Sequence, residues 1–266
     1  MLRVVDQIGR PINLRIRPKR VVSLVPSLTE LAYDLGFEVV GRTKFCIHPK
    51  ELDSVSVVGG TKNVDTKIIE ELKPDLILAN KEENRSKTIQ ILEKQFPVYV
   101  SDISTLEESF SMITDLGKVG GYERKSKKLI SEILTGFDRF EGNESVQSYI
   151  YLIWKNPIMA AGTDTFISNI LSKLGLTNAL QSLGQEGYRY PTMDIEKIKD
   201  LNPKYIFLSS EPYPFQNSDV VEFKNEMKIE TILVDGEFFS WYGSRMAKAL
   251  PYLDEFYRLL VQESDN

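Results

Sequence analysis

The chain has 266 residues, 42% of them hydrophobic, enough for a buried core in one large domain or two small ones. Its formal net charge of -5 offers nucleic acid no electrostatic case, because that binding leans on Lys and Arg neutralising phosphates. A single cysteine, Cys46, and a single histidine, His48, exclude an internal disulfide and any zinc site built from Cys and His alone.

The first twenty residues, MLRVVDQIGRPINLRIRPKR, contain no signal-peptide core, since Arg3, Asp6 and Arg10 interrupt the apolar run. No stretch approaches the ~20 apolar residues of a membrane span. The expectation is a soluble chain, cytoplasmic as written, or periplasmic or on the cell surface if an export signal precedes this numbering.

Val21–Val25 is a short β-branched run and predicts a buried strand. Residues 28–35 have helical spacing, with Ser27 placed to cap the helix, Glu30 as its capping-box partner and Gly36 to end it. Glu38–Gly41 predicts a second strand. Lys67–Leu72 reads as a helical turn stopped by Pro74, Leu76–Ala79 as a strand, Ser86–Phe96 as a helix and Val98–Val100 as a strand. Strands alternating with helices imply parallel sheets.

From Thr105 to Phe140 there is no strand signal. The segment is expected to break at Gly117 and at Gly120–Gly121, and Tyr122–Phe140 then reads as one long helix with Leu129, Ile130, Ile133, Leu134 and Phe137 on one stripe. Alternation restarts with strands at 149–153, 205–208 and 232–234, a helix at 165–174 and a final helix from Gly243 to Gln262.

A weak repeat links Glu71–Leu78 to Asp200–Phe207, with an offset of 129 residues (203 − 74) that also carries Glu82 onto Glu211. The simplest architecture is two Rossmann-like α/β lobes with mainly parallel sheets joined by one long backbone helix. The expected divisions are residues 1–121, 122–141 and 142–266.

No G-x-G-x-x-G, Walker A loop or G-x-S-x-G elbow is present, so no catalytic set is expected. Cys46 and His48, two apart, would point the same way on an extended segment, as a thiolate–imidazole pair or two metal ligands. The plainer alternative, a half-buried thiol and a loop histidine before Pro49, is preferred because two ligands complete no metal site. A single axial ligand to a cofactor metal stays open. Gly59–Asn63 reads as an ordinary turn, with an anion-binding loop as its alternative.

The candidate ligand site draws on loops that follow strands. Lys81–Arg85 follows one, where α/β sheets place ligands, though a solvated helix start explains it equally well. Tyr188–Pro191 and Phe238–Arg245 pack aromatics beside an arginine; aromatic faces suit a flat apolar ligand and arginine its carboxylates. The expected lining is Lys44, Phe45, Asn63 and Glu82 from the first lobe, with Trp154, Tyr188, Arg189, Trp241, Tyr242 and Arg245 from the second. Trp241 and Arg245 are expected on one side of the first turn of the final helix. For these two, the alternative is that Trp241 plugs a core and Arg245 bridges to an acid such as Asp235.

Pro18–Glu30, together with Val57–Gly60, Leu72–Ile77 and Ser240–Arg245, resembles the helical-backbone metal receptors. These are the substrate-binding proteins of siderophore, haem and vitamin B12 ABC importers, and the resemblance is nearest to the B12-binding-like subgroup. It runs from about residue 3 to residue 260. It implies a metal chelate (corrinoid, haem or ferric siderophore) held between two lobes without catalysis, no required cofactor, a monomer, and docking to an ABC permease. Glu196 falls at the docking position of the second lobe. Lys67 stands at the corresponding position of the first, with Asp65 and Glu70 nearby. Only Trp154 and Trp241 are available to stack on a macrocycle. The alternative function is a cytoplasmic protein of the same fold acting as a corrinoid chaperone, enzyme or regulatory partner.

Overall fold

The computed structural model describes residues 2–140, 147–184 and 189–264. The chain divides into two compact units. One comprises Met1–Ile103, Glu107–Ile133 and Tyr242–Ala247; the other comprises Ser104–Leu106, Leu134–Trp241 and Lys248–Asn266.

The first unit opens with an antiparallel hairpin, β1 (Leu2–Val5) and β2 (Pro11–Leu14), which the sequence reading did not anticipate. The buried carboxylate of Asp6 holds its turn, accepting from the Arg10 backbone N–H at 2.7 Å and guanidinium at 2.7 Å. The alternation then follows as expected: β3 (Arg20–Ser23), α1 (Pro26–Leu35), β4 (Glu38–Arg42), β5 (Ser56–Val57), α2 (Thr66–Leu72), β6 (Leu76–Asn80), α3 (Ser86–Leu92) and β7 (Val98–Ser101). These five later strands form one parallel sheet in the order β5-β4-β3-β6-β7. Every residue of β6 is buried, as a central parallel strand covered on both faces requires. Val22, Leu24, Ile69, Ile77, Ile89 and Val98 form the core on one side of it.

Helix α1 starts two residues earlier than a cap at Ser27 would dictate. Its cap position is Val25 with no side-chain cap, because Pro26 pre-sets the first helical φ; Ser27 and Glu30 therefore lie inside the helix and form no capping box. Two longer helices follow β7, α4 (Leu106–Gly120) and α5 (Glu123–Phe137), the latter running into a 3-10 turn at Asp138–Phe140. Gly117 does not interrupt α4. A Cβ there would lie 2.3 Å from the Ser126 hydroxyl, so the glycine serves close packing of α5 on α4.

The second unit contains β8 (Gln147–Trp154), β9 (Met159–Ala160), α6 (Phe166–Lys173), β10 (Leu176–Asn178), α7 (Ile195–Leu201), β11 (Tyr205–Ser209), α8 (Asn217–Met227), β12 (Glu230–Val234), α9 (Gly236–Ser240) and, from Lys248 onward, α10 (Arg245–Ser264). Its sheet runs β10-β8-β11-β12, all parallel, with β9 antiparallel to β8. Residue alternation on β11 sorts two cores. Ile206 and Leu208 join Ile150, Leu152 and Ile198, while Tyr205 stacks on Phe207 at 5.8 Å and Phe207 meets Phe256 of α10.

The internal repeat extends to helix termini. Asp65 caps α2 and Asp194 caps α7, each accepting a backbone N–H two or three residues on. Both helices end on a non-glycine residue in the left-handed region, Lys73 at φ 47° and Asn202 at φ 45°, followed by Pro74 and Pro203. A left-handed cap followed by proline stops the helix and turns the chain into the next strand.

Candidate functional site

Each sheet has a point where neighbouring strands are followed by connections running in opposite directions. In the first unit it lies between β3 and β6, in the second between β8 and β11. Loops at the carboxyl ends of such strands form the ligand-binding crevice of open α/β sheets. A recess of 840 Å³ in the first unit opens instead at the amino ends of β6 and β7, beside Pro74, Asp75 and Pro97. It therefore lies away from those loops.

In the first unit, a network of buried amides fixes the carboxyl ends. Asn80, the last residue of β6, accepts from the backbone N–H of Glu82 (2.8 Å) and Glu83 (3.0 Å) and donates to the Ser101 carbonyl (3.2 Å). Asn84 accepts from Asn80 N–H at 2.9 Å and donates to the carbonyls of Leu24 and Thr61. Three strand ends and the Gly59–Val64 turn are thereby tied to one another. That turn is closed by Gly60 N–H donating to Asn63 O at 2.9 Å. Gly59 has φ +108°, and a Cβ on it would lie 2.4 Å from the Asn63 carbonyl, so only glycine fits. The turn spends its N–H on itself, as the ordinary-turn reading expects.

This scaffold brings Lys44, Phe45, Asn63 and Glu82 to one end of the sheet. Lys44 and Asn63 are exposed. Phe45 is 51% exposed, with the Lys44 ammonium 5.0 Å from its ring centroid. Lys62 donates to the Glu82 carbonyl. Tyr242 belongs to this unit. It is 7% exposed, its hydroxyl lies 3.3 Å from that of Ser101, and burial pushes its pKa up.

Arg245 also lies in this unit and is buried. Its Nε donates to Glu30 Oε2 at 2.8 Å, in a pair whose side chains are 8% and 2% exposed. The internal partner is Glu30 on α1 rather than Asp235. Trp241 and Arg245 do not share a helical turn, because Trp241 is the terminal cap of α9 and α10 begins at Arg245. For Tyr242 and Arg245, expected to line the pocket, this burial leaves little side chain to offer a ligand.

Cys46 is fully buried rather than half-buried, 3.0 Å from the Thr29 hydroxyl and 3.1 Å from that of Thr43, and burial raises its thiol pKa. The Cys46 N–H closes a turn onto Thr43 O at 3.1 Å, so Cys46 and His48 are not on an extended strand. Among the described residues no group of three or more His, Cys, Asp or Glu is arranged to hold a metal ion.

In the second unit, Trp154 ends β8 at the switch point, 39% exposed. Its indole N–H donates to the Asn156 carbonyl at 3.0 Å, and its ring meets Tyr213 edge-on at 5.6 Å. Tyr213 in turn meets Phe215 at 4.7 Å. Tyr213 escaped the sequence reading, although it lies past the carboxyl end of β11, next to the strand that Trp154 ends. Arg189 is fixed by its Nε donating to Asp164 O at 3.1 Å and by a contact with the Ser104 hydroxyl, beside a 730 Å³ recess that Ser104 and Asp164 help line. Tyr188 lies outside the described residues. Trp241 is 7% exposed, and its indole N–H donates to Glu211 Oε1 at 2.6 Å. Glu196 stands exposed on the first turn of α7, 3.0 Å from Lys199. Lys67 is exposed on α2, and Asp65 is occupied in capping it.

A profile of the periplasmic binding protein family matches residues 21–233. An uncharacterised ABC transporter substrate-binding lipoprotein of Bacillus subtilis is 29% identical over 214 residues, 76% of this chain and 67% of the relative. A vitamin B12-binding protein of Vibrio parahaemolyticus is 28% identical over 199 residues, 72% of this chain and 70% of the relative. The solved periplasmic catecholate-siderophore binding protein of Vibrio cholerae shares the fold with a TM-score of 0.78 at 18% identity, covering 97% of this chain and 99% of its own. These relatives are binding proteins rather than enzymes. The match across most of its length makes this chain a member of the periplasmic binding protein family.

Proposed function

We propose that this protein is the substrate-binding component of an ABC importer and carries a metal chelate: a corrinoid, haem or ferric siderophore. The observation that carries this reading is the exposed aromatic surface at the strand carboxyl ends, Phe45 in one unit and Trp154, edge-on to the half-buried Tyr213, in the other, in a chain of a binding-protein family. Flat conjugated chelates favour aromatic faces, and Lys44 and Arg189 offer cations to peripheral carboxylates. Asn63, Glu82 and Tyr188 complete the proposed contact set. Trp241, Tyr242 and Arg245 are largely buried; Trp241 is tied to Glu211, two residues past β11, and so belongs with the loops of the second unit.

The relatives' names support an importer, and a periplasmic or lipid-anchored location outside the cytoplasm follows from it. Glu196, exposed on α7, is the proposed acidic contact for the permease, with Lys67 replacing an acid on the other unit. Tryptophan fluorescence quenching by cyanocobalamin, haemin and a ferric catecholate tests the reading. One chelate should quench saturably, and Trp154→Ala should weaken that binding by about threefold to tenfold, the value of one lost aromatic stack. Undiminished affinity in Trp154→Ala and Phe45→Ala together contradicts the site.

A further inference from the structure

We propose that Glu211 is the positioning residue of the second unit's ligand surface: it clamps the Trp241 indole as a carboxylate and, on taking up a proton, loosens it, so that ligand affinity follows pH. The proposal rests on the binding function above but is carried by a separate set of contacts. Glu211 stands two residues past β11 at the switch point beside β8, where the internal repeat places Glu82 in the other unit.

The fold is built to seat it. A Cβ on Gly236 would lie 2.6 Å from Glu211 Cγ and 3.0 Å from its backbone nitrogen, so the first residue of α9 must be glycine for the side chain to lie there. The Ser209 hydroxyl donates to the Glu211 carbonyl at 2.5 Å and lies 3.0 Å from that of Tyr151, fixing the backbone against β8. One carboxylate oxygen, Oε1, receives both the Trp241 indole N–H at 2.6 Å and the Ser240 hydroxyl at 3.2 Å. Oε2 accepts no hydrogen bond among the described residues.

The groups facing Glu211 are acids and phenols. Asp235 and Glu237 come from α9 and its cap, Tyr151 from β8, and Tyr252 of α10 stands beyond Asp235, whose N–H it accepts at 3.0 Å. Burial, with Glu237 and Asp235 adding to it, pushes the Glu211 carboxyl up to about 7 against the opposing donors Trp241 and Ser240. A carboxyl so placed changes charge across the neutral range. Its ionised form makes the stronger, charge-assisted bond to the indole; its protonated form surrenders that advantage.

The test uses ligand-free protein first. In a Trp154→Phe background Trp241 is the only tryptophan, and its emission should titrate with a midpoint near pH 7. Glu211→Gln, which keeps the shape and an acceptor oxygen, should abolish that transition. Glu237→Gln should retain it at a lower midpoint, since one repelling charge is gone. No change in emission between pH 5.5 and 8.5, or the same midpoint in Glu211→Gln, overturns the proposal. In the second arm, cyanocobalamin, haemin and a ferric catecholate are titrated at pH 6 and pH 8. Affinity for the chelate bound should fall as pH drops, by up to about tenfold per unit below the midpoint, and should be flat in Glu211→Gln. Equal pH dependence in the two proteins overturns it. If no chelate binds at either pH, the functional reading fails, while the emission titration still decides the role of Glu211.

Discussion

Replacing Arg245 by alanine removes one half of an ion pair whose side chains are 8% and 2% exposed and 2.8 Å apart. The Glu30 carboxylate then stays in a site screened from water without its guanidinium. Breaking a buried pair from one side costs about 3–5 kcal/mol, because the remaining charge keeps its desolvation penalty. At roughly 2–4 °C per kcal/mol for a unit of this size, the melting temperature should fall by about 10 °C. Differential scanning calorimetry measures it, with urea midpoints as a check on slope. The partner change Glu30→Leu combined with Arg245→Met should recover most of the loss, since an apolar pair of similar volume needs no compensation. A melting temperature within about 2 °C of wild type in Arg245→Ala, joined to a loss of chelate affinity, would refute the reasoning and return Arg245 to the ligand surface.

Three further outcomes follow from the geometry. Cys46, buried with a raised thiol pKa, should resist iodoacetamide in the native protein and react only on unfolding, read by mass spectrometry; rapid native labelling contradicts its burial. Gly236→Ala must displace either Glu211 or α9 and should cost about 1–3 kcal/mol in chemical denaturation; a neutral effect would mean that Glu211 is not seated as described. Because the folded Glu211 carboxyl titrates near 7, above its ordinary value of 4.5, folding favours its protonated form. Its penalty is absent below pH 4.5, grows as pH rises toward 7 and is constant above. Glu211→Gln should therefore gain roughly 1–3 kcal/mol over wild type between pH 5 and 8, after discounting for partial exposure, and a gain independent of pH would contradict the assignment.

Much of the fold could be read along the chain because it is local. Val21–Val25, Leu76–Ala79 and Tyr205–Leu208 carry the continuous apolar runs of buried parallel strands, and the repeat that aligned Pro74 with Pro203 also aligned Glu82 with Glu211. The hairpin at residues 2–14 escaped notice because its strands are four residues long and half exposed, too short for a periodic signal. Gly117 looked like a helix break because sequence alone cannot distinguish a glycine that ends a helix from one that admits a neighbour such as Ser126.

Of the candidate site, some positions were legible. Phe45 lies past β4 and Trp154 ends β8, and both present exposed aromatic surface. Arg245 reads the same way in sequence, yet its partner is Glu30, 215 residues away, and nothing local announces so distant a pair. Asn80 and Asn84, which hold the loop ends, carry no motif; they become visible only once the strands that end beside them are aligned.

The most direct test of chelate carriage is visible absorption spectroscopy of the purified protein titrated with cyanocobalamin, haemin and a ferric catecholate siderophore. The proposed function predicts one saturable 1:1 spectral change with a dissociation constant at or below about 1 μM, equivalent to −8.2 kcal/mol or better. Absence of any saturable change with all three chelates up to about 1 mM, where even −4.1 kcal/mol of affinity would register, would contradict it.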